Sequence, residues 1–315
     1  MQIHFIGSQD LGYNTLRAIF DSEHTLTGIC SLNPASHEHW ENRITPFAIE
    51  QGIPVRTFDD HLMLDENVPN INVPENIEMI AASEPDIIVV VGWRQIIGKK
   101  IRSIPKHGTI GVHYSLLPKY RGHAPIPWAI VSGDEEAGLS VFYLTSGADT
   151  GDILYQYATE IGLTDTSATV RERLDNVTPK VMVEVIAGLQ NNTIIPVKQD
   201  EDLAVISGYR LPEFARIDWR NSSRQIYDEI RATTYPYTGA FAYYNGDKVT
   251  IWSADLLPAT PGYVGYPGQI LLTLKNDGII VKTGDHALKI CEIQTTGIDR
   301  MSADAYFKST RGIIN

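Results

Sequence analysis

Ile87-Ile88-Val89-Val90-Val91 is five β-branched residues in a row, with no polar residue among them. A strand with one wet face alternates apolar and polar side chains. This run does not alternate, so it reads as a strand covered on both faces, the signature of a parallel sheet inside an α/β layer. The surroundings agree. Upstream lie strand-like runs at Ile3–Ile6, Leu26–Leu32 and Val55–Phe58, and downstream one at Thr109–His113. Between them sit helix-like segments at Leu11–Phe20, Pro46–Gln51, Ile77–Ser83 and, shorter, near Ile96–Ile101. Strand and helix in alternation predict βαβ units, a mostly parallel sheet and helices on both of its faces. Gly7 and Gly12 bracket the first strand-to-helix turn, but the dinucleotide pattern GxGxxG is incomplete, so a tight turn is the reading here.

Further along, Gly138–Thr145 and Asp152–Glu160 read as strands. After the cap cluster Asp165-Thr166-Ser167, Val170, Leu174, Val177, Val181 and Val185 form one helical stripe, with Pro179 predicting a kink. The pattern breaks at Asn191–Pro212, a candidate linker. Beyond it come a helix at Ser222–Thr233 and short strands at 240–244, 249–252, 268–274, 278–283 and 287–293. Asn245-Gly246 and Asn276-Asp277-Gly278 supply turn signals, and a small β-barrel with one helix is expected. A chain of 315 residues exceeds what one core usually carries. The expected division is a catalytic domain over 1–203 and a smaller domain over 204–315.

The net charge is −12, and Lys and Arg are nowhere concentrated. That argues against a nucleic-acid partner, which needs clustered cations. No apolar run approaches ~20 residues, so no membrane span is expected. The opening MQIHFIGSQD reads as a strand and not a secretory signal, which points to the cytoplasm. Cys30 and Cys291 lie in separate apolar runs and read as buried free thiols.

The chemistry concentrates after Thr109–His113. His113 ends a predicted parallel strand, where open α/β sheets bind ligands. An imidazole there can serve as acid or base, or simply hydrogen-bond. Leu116-Leu117-Pro118-Lys119-Tyr120-Arg121-Gly122 follows. Its two cations can hold an anionic group, with Tyr120 as a stacking or hydrogen-bonding surface, or can be solvated. Asp149 sits between glycines in Gly147-Ala148-Asp149-Thr150-Gly151-Asp152. It can orient a histidine, accept a proton from an amine, or cap its own turn. The histidines share no helix face and have no ligand partner at metal spacing, so no metal site is expected. Ser115 lacks the GxSxG elbow of a hydrolase.

Taken together, "HYSLLPKYRGHAPIPWAIVSGDEEAGLSVFYL" from His113, "GADTGDIL" from Gly147 and "RLPEFARIDW…IRATTYPYTGAFAYYNGDKVTIW" from Arg210 resemble the folate-dependent formyltransferases. That family includes methionyl-tRNA formyltransferase and enzymes acting on nucleotide-linked amino sugars. The resemblance implies a Rossmann-like catalytic domain, an OB-like carboxy-terminal domain, and N10-formyltetrahydrofolate as the formyl donor to a primary amine. The family's catalytic Asn, His and Asp fall on Gly111, His113 and Asp149, so the Asn is replaced here. The folate would lie near Gly92, Trp93, Leu116, Leu117, Gly147 and Asp149. The acceptor would lie near Ser115, Lys119, Tyr120 and Arg121.

The stretch Asn33–Phe47 carries no basic cluster, and "RIDW…TYPYTGAF" looks most like the amino-sugar enzymes. A nucleotide-linked amino sugar is therefore the expected acceptor. The alternatives are methionyl-tRNA, or an altered relative that binds or hydrolyses the donor because Gly111 lacks the Asn side chain. Whether two chains form a homodimer is left open.

Overall fold

The structure is a computed structural model that describes residues 1–34, 41–59 and 70–315. The chain runs β1 (Gln2–Gly7), α1 (Gln9–Phe20), β2 (Thr25–Asn33), α2 (Ile44–Glu50), β3 (Val55–Asp59), α3 (Pro74–Ala82), β4 (Ile87–Val91), α4 (Lys99–Arg102) and β5 (Thr109–His113). It continues through β6 (Arg121–Gly122), α5 (Pro125–Val131), β7 (Glu136–Tyr143), β8 (Ile153–Glu160), α6 (Ser167–Gln190), β9 (Ile206–Ser207) and α7 (Ser223–Thr233). Last come β10 (Ala240–Tyr244), β11 (Asp247–Leu256), β12 (Ile270–Leu274), β13 (Gly278–Lys282), β14 (Ala287–Thr295), β15 (Met301–Ser302) and α8 (Ala303–Tyr306). Part of the Asn33–Phe47 stretch lies outside the described residues.

The large sheet has the order β3-β2-β1-β4-β5-β7-β8. β3, β2, β1, β4 and β5 pair in parallel, and β7 joins β5 antiparallel. All five residues of β4 are buried, as its uninterrupted apolar run requires. Ile88 and Val90 face a cluster that includes Ile80 of α3 and Ile101 of α4. By the two-residue period of a strand, Ile87, Val89 and Val91 face the opposite layer, where α1 packs on β4. Leu11, Thr15, Leu16 and Ile19 form the buried stripe of α1. A side chain on Gly7 would run into the Phe5 ring and the Val91 carbonyl, and a Cβ on Gly12 of α1 would stand 3.2 Å from the same carbonyl. The turn reading of Gly7–Gly12 stands.

Buried in β1 is one polar side chain with a place made for it. His4 donates to or accepts from Ser83 Oγ at 2.9 Å and lies 3.4 Å from Cys30 Sγ. A Cβ on Gly28 would come within 2.7 Å of the imidazole, so the absence of a side chain there makes the space. Burial pushes His4 down to about 4 and the Cys30 thiol up to about 12. Cys30 is buried as expected, whereas Cys291 is only half-buried, and both are free.

The second sheet is antiparallel, in the order β10-β11-β14-β13-β12 with β15 against β14. Asn245 and Gly246, both at positive φ, turn β10 into β11 as their sequence promised. Helix α7 opens on a capping box: Ser222 Oγ accepts from the Gln225 N–H, and Gln225 Oε1 accepts from the Ser222 N–H. Its Ile226 and Ile230 join Trp219, Val249, Ile290 and Phe307 in one core. Helix α6 runs unbroken through Pro179.

The chain divides into two compact units, but not at a single cut after residue 203. His123–Ala137 and Thr159–Glu172 group with Ser207–Asn315. Packing is the reason: α5 lies against α7, and the Arg210 guanidinium sits 4.6 Å over the Trp128 ring.

Candidate active site

β5 ends in His113, and β7, which runs antiparallel to it, pairs His113 with Ser140. The loop after β5 is tied down by side chains from β7 and β8. Ser140 Oγ–H donates to the Ser115 carbonyl at 2.7 Å and accepts from the Leu117 N–H at 3.0 Å. Gln156 donates through Nε2 to the Leu117 carbonyl at 2.9 Å and to Ser140 Oγ at 2.8 Å. Leu116 also rests on bare backbone: a Cβ on Gly138 would fall 2.4 Å from Leu116 Cδ2. The Leu117–Pro118 peptide is cis.

His113 Nε2–H donates to the Tyr120 carbonyl at 2.8 Å. A carbonyl can only accept, so this bond places an N–H at Nε2. Nδ1 faces Asp149, with Oδ2 at 3.7 Å, too far for a direct hydrogen bond. Both side chains are mostly buried, at 12% and 22% exposure. The imidazole and the carboxylate expected to meet therefore do meet, 36 positions apart in the chain, from the end of β5 and the loop between β7 and β8. Asp149 has φ 54°, and its Oδ2 also accepts from the Gly122 N–H at 2.9 Å. Gly122 has φ 108°, a conformation reserved for glycine, and that conformation turns its N–H toward the carboxylate.

The remaining expected residues divide. Arg121 is paired within the chain. It is buried, its guanidinium grips Glu201 through two bonds of 2.8 Å, and Nε donates to Gln199 at 2.9 Å. The pairing holds the Glu201 carboxyl below the usual carboxylate range. Sequence alone does not show that two partners hold Arg121 from 78 and 80 positions away. Tyr120 contributes its backbone carbonyl to His113 and adopts φ 57°. Lys119 is exposed, and Gly147 is exposed on the Asp149 loop.

Gly111 follows Ile110 in β5, and the Cβ it lacks would sit 3.1 Å from Leu144 Cδ1 and 3.5 Å from the Val90 carbonyl. Gly92 and Trp93 lie just past β4, beside β5 in the sheet. Ser8 Oγ–H donates to the Gly92 carbonyl. Trp93 stands edge-on to Phe58, ring centroids 5.8 Å apart. Its Nε1–H and the hydroxyl of Ser115 are buried without a protein partner. A buried polar group without a protein partner is where a polar ligand atom would pair. Among the described residues no group of His, Cys, Asp or Glu forms a metal cluster.

Residues 42–186 match the formyl transferase domain, and residues 211–311 match the formyl transferase C-terminal domain. The chain belongs to the formyl transferase family. The family's formyl donor is N10-formyltetrahydrofolate, as the motifs implied. One relative is the methionyl-tRNA formyltransferase of Alkaliphilus oremlandii, 34% identical over 311 residues that span 97% of this chain and 96% of that one. Among solved structures, WlaRD, a sugar 3N-formyl transferase crystallised with dTDP and 5-N-formyl-THF, superposes with a TM-score of 0.66 at 18% identity, covering 95% of this chain and 99% of that one. The N-formyltransferase from Helicobacter canadensis in complex with folinic acid and dTDP-3-aminofucose gives 0.63 at 17% identity, covering 91% and 98%. At those identities the structural likeness establishes the fold. No described helix is long and apolar enough to cross a membrane.

Sequence reasoning missed Ser140, Gln156, Gln199 and Glu201. Ser140 left a faint signal, a single hydroxyl in the apolar run Leu139–Phe142. Gln199 and Glu201 lie in the stretch that reads as a linker and left none.

Proposed function

We propose that this chain transfers the formyl group of N10-formyltetrahydrofolate to the amino group of methionyl-tRNA. What carries the acceptor is the end-to-end similarity to a methionyl-tRNA formyltransferase, 34% identical over 97% of the chain. The expectation against a nucleic-acid partner rested on the net charge of −12, and a relative of this kind removes its force. A local cation-bearing surface can serve a nucleic acid whatever the global charge, provided it is concentrated.

N10-formyltetrahydrofolate supplies an activated formyl carbon. An amine attacks only when unprotonated, so a base must hold its proton. The His113–Asp149 pair offers two such atoms, Nδ1 and Oδ2, across a 3.7 Å gap. The amine nitrogen bonds to the formyl carbon as that carbon's bond to N10 breaks. Asp149 Oδ2 or His113 Nδ1 takes the proton that the amine sheds, and the same group returns it to the departing folate nitrogen. Trp93 Nε1–H and the Ser115 hydroxyl bind polar atoms of the donor, with Gly92, Leu116, Leu117 and Gly147 around them. Lys119 stands on the acceptor side. Burial strengthens these interactions relative to open water.

One set of observations favours a second acceptor, a nucleotide-linked amino sugar. Two solved sugar transferases superpose on nearly the whole chain. The test is direct. Purified protein is incubated with N10-formyltetrahydrofolate and, separately, charged initiator tRNA and a panel of UDP- and dTDP-linked amino sugars. Formylmethionyl-tRNA alone supports the proposal. A formylated sugar with no formylated tRNA overturns the acceptor. Release of formate without either product marks a hydrolase, and folate binding with no turnover marks a non-catalytic relative.

A further inference from the structure

We infer that Gln199 is a positioning residue for the formyl-transfer site, which holds the Asp149 loop in register with His113. This rests on the reading of the His113–Asp149 pair as the reacting centre. Gln199 lies in the irregular stretch after α6. Its Nε2 donates to two carbonyls of the loop, Asp149 at 2.8 Å and Gly151 at 2.7 Å. Its Oε1 accepts from Arg121 Nε at 2.9 Å. The carboxamide is therefore locked in one orientation. A flip would set Oε1 against two carbonyl oxygens and the amino group against a guanidinium N–H, losing three bonds at once.

Arg121 is locked in turn. Both terminal nitrogens sit on Glu201 at 2.8 Å, and its backbone N–H donates to the Val205 carbonyl at 2.9 Å. The Val205 N–H returns to the Pro118 carbonyl at 3.1 Å. Residues 199–205 are thus fastened to the loop that follows His113.

That fastening is what makes the arrangement more than a structural tie. Of three consecutive residues, two touch the reacting pair and the third reaches Gln199. The Tyr120 carbonyl accepts from His113, the Gly122 N–H donates to Asp149, and the Arg121 side chain between them holds Gln199. Gln199 closes the ring by holding Asp149 from behind, through its carbonyl. The 3.7 Å separation between Nδ1 and Oδ2 is consequently set on both sides by one connected network. A reacting pair displaced by about 1 Å loses on the order of 10²-fold in rate. The network contacts backbone carbonyls and not the donor, so its loss should act on kcat and leave KM for the folate little changed.

Two substitutions separate the contacts. Gln199→Leu removes all three bonds. Gln199→Glu keeps an acceptor for Arg121 but sets a carboxylate oxygen against the Asp149 and Gly151 carbonyls. If the loop contacts carry the effect, both variants lose kcat at least tenfold, KM for N10-formyltetrahydrofolate changes less than threefold, and the pH profile of kcat shifts. A Gln199→Leu enzyme with wild-type kcat overturns the inference. So does a Gln199→Glu enzyme that alone retains full activity, because the Arg121 contact would then be the one that matters.

A second measurement is independent of turnover. Amide hydrogen exchange at Gly122 and over residues 145–152 should rise at least tenfold in Gln199→Leu, with β4 unchanged. Unaltered exchange in the loop refutes the brace, even in a protein that formylates nothing. Wild-type protein inert with every acceptor refutes the formyl-transfer reading, while the exchange result still decides the brace.

Discussion

Leu144 occupies the space beside Gly111, with its Cδ1 3.1 Å from where a Cβ would stand. The sequence resemblance sets an Asn of the formyltransferases at that position. Here a methyl group from the end of β7 is its neighbour, so the missing amide and the filled space belong together. One lost oxyanion donor commonly costs ~10²–10³ in rate. Restoring it needs room as well as the amide. In a Leu144→Ala background, Gly111→Asn is expected to raise kcat about tenfold or more, measured as formyl release from the donor into product. No gain in that background would mean that another group already binds the formyl oxygen.

His113→Ala and Asp149→Asn should each lower kcat by about 10²–10⁴, the usual worth of a positioned acid or base. Asp149→Asn is the sharper test. The carboxamide still offers an oxygen to the Gly122 N–H, so the loop keeps its tie while the base is lost. Thermal unfolding within a degree or two of wild type, together with the lost rate, is the expected result. Unchanged rates in both variants would remove the pair from the chemistry.

The buried His4 makes stability depend on pH. Unfolded, its imidazole titrates at the ordinary value of 6.5, and in the fold burial holds it at about 4. Between those values the unfolded chain carries a proton that the folded chain does not. Stability therefore falls as pH drops from 6.5 toward 4, by at most about 3 kcal/mol, and levels off below. Urea unfolding at several pH values, compared between wild type and His4→Gln, reads this directly. The gap between the two proteins should narrow across that window, and a gap of constant size would count against the assignment.

Asp228 and Arg231 form a buried pair in α7, 2.7 Å apart and each only 4% exposed. Arg231 also donates to the carbonyls of Gly162 and Asp165 at 3.0 and 2.6 Å. Asp228→Ala strands that guanidinium and is expected to cost about 3–5 kcal/mol. The double variant Asp228→Ala/Arg231→Met should recover much of the loss, since no buried charge is then left alone. Chemical denaturation of the three proteins decides it.

The sheet was legible because burial on both faces leaves its mark in every residue of β4. The carboxyl end of β5 was legible too, where His113 stands. The hairpin at Asn245-Gly246 announced itself through residues that tolerate positive φ. Arg121 shows where legibility stops. A cation beside an aromatic on a stiff loop looks the same whether it awaits a ligand or is already paired. Its partners come from Gln199 and Glu201, in a segment without periodicity. The compact units depart from chain order for a related reason. His123–Ala137 lies within the catalytic half of the sequence, yet packs by contacts that chain order does not reveal.

Gly138 carries a consequence for how this protein can change over time. The loop after His113 leans on its bare α-carbon, and the Tyr157 carbonyl closes in from the other side at 2.4 Å from where a methyl would be. Most positions in a protein accept several residues, so lineages drift through them. This one leaves little room for drift: a single added carbon must displace the Tyr157 carbonyl as well as the Leu116 side chain, and a library randomised at codon 138 and selected for turnover should return glycine alone.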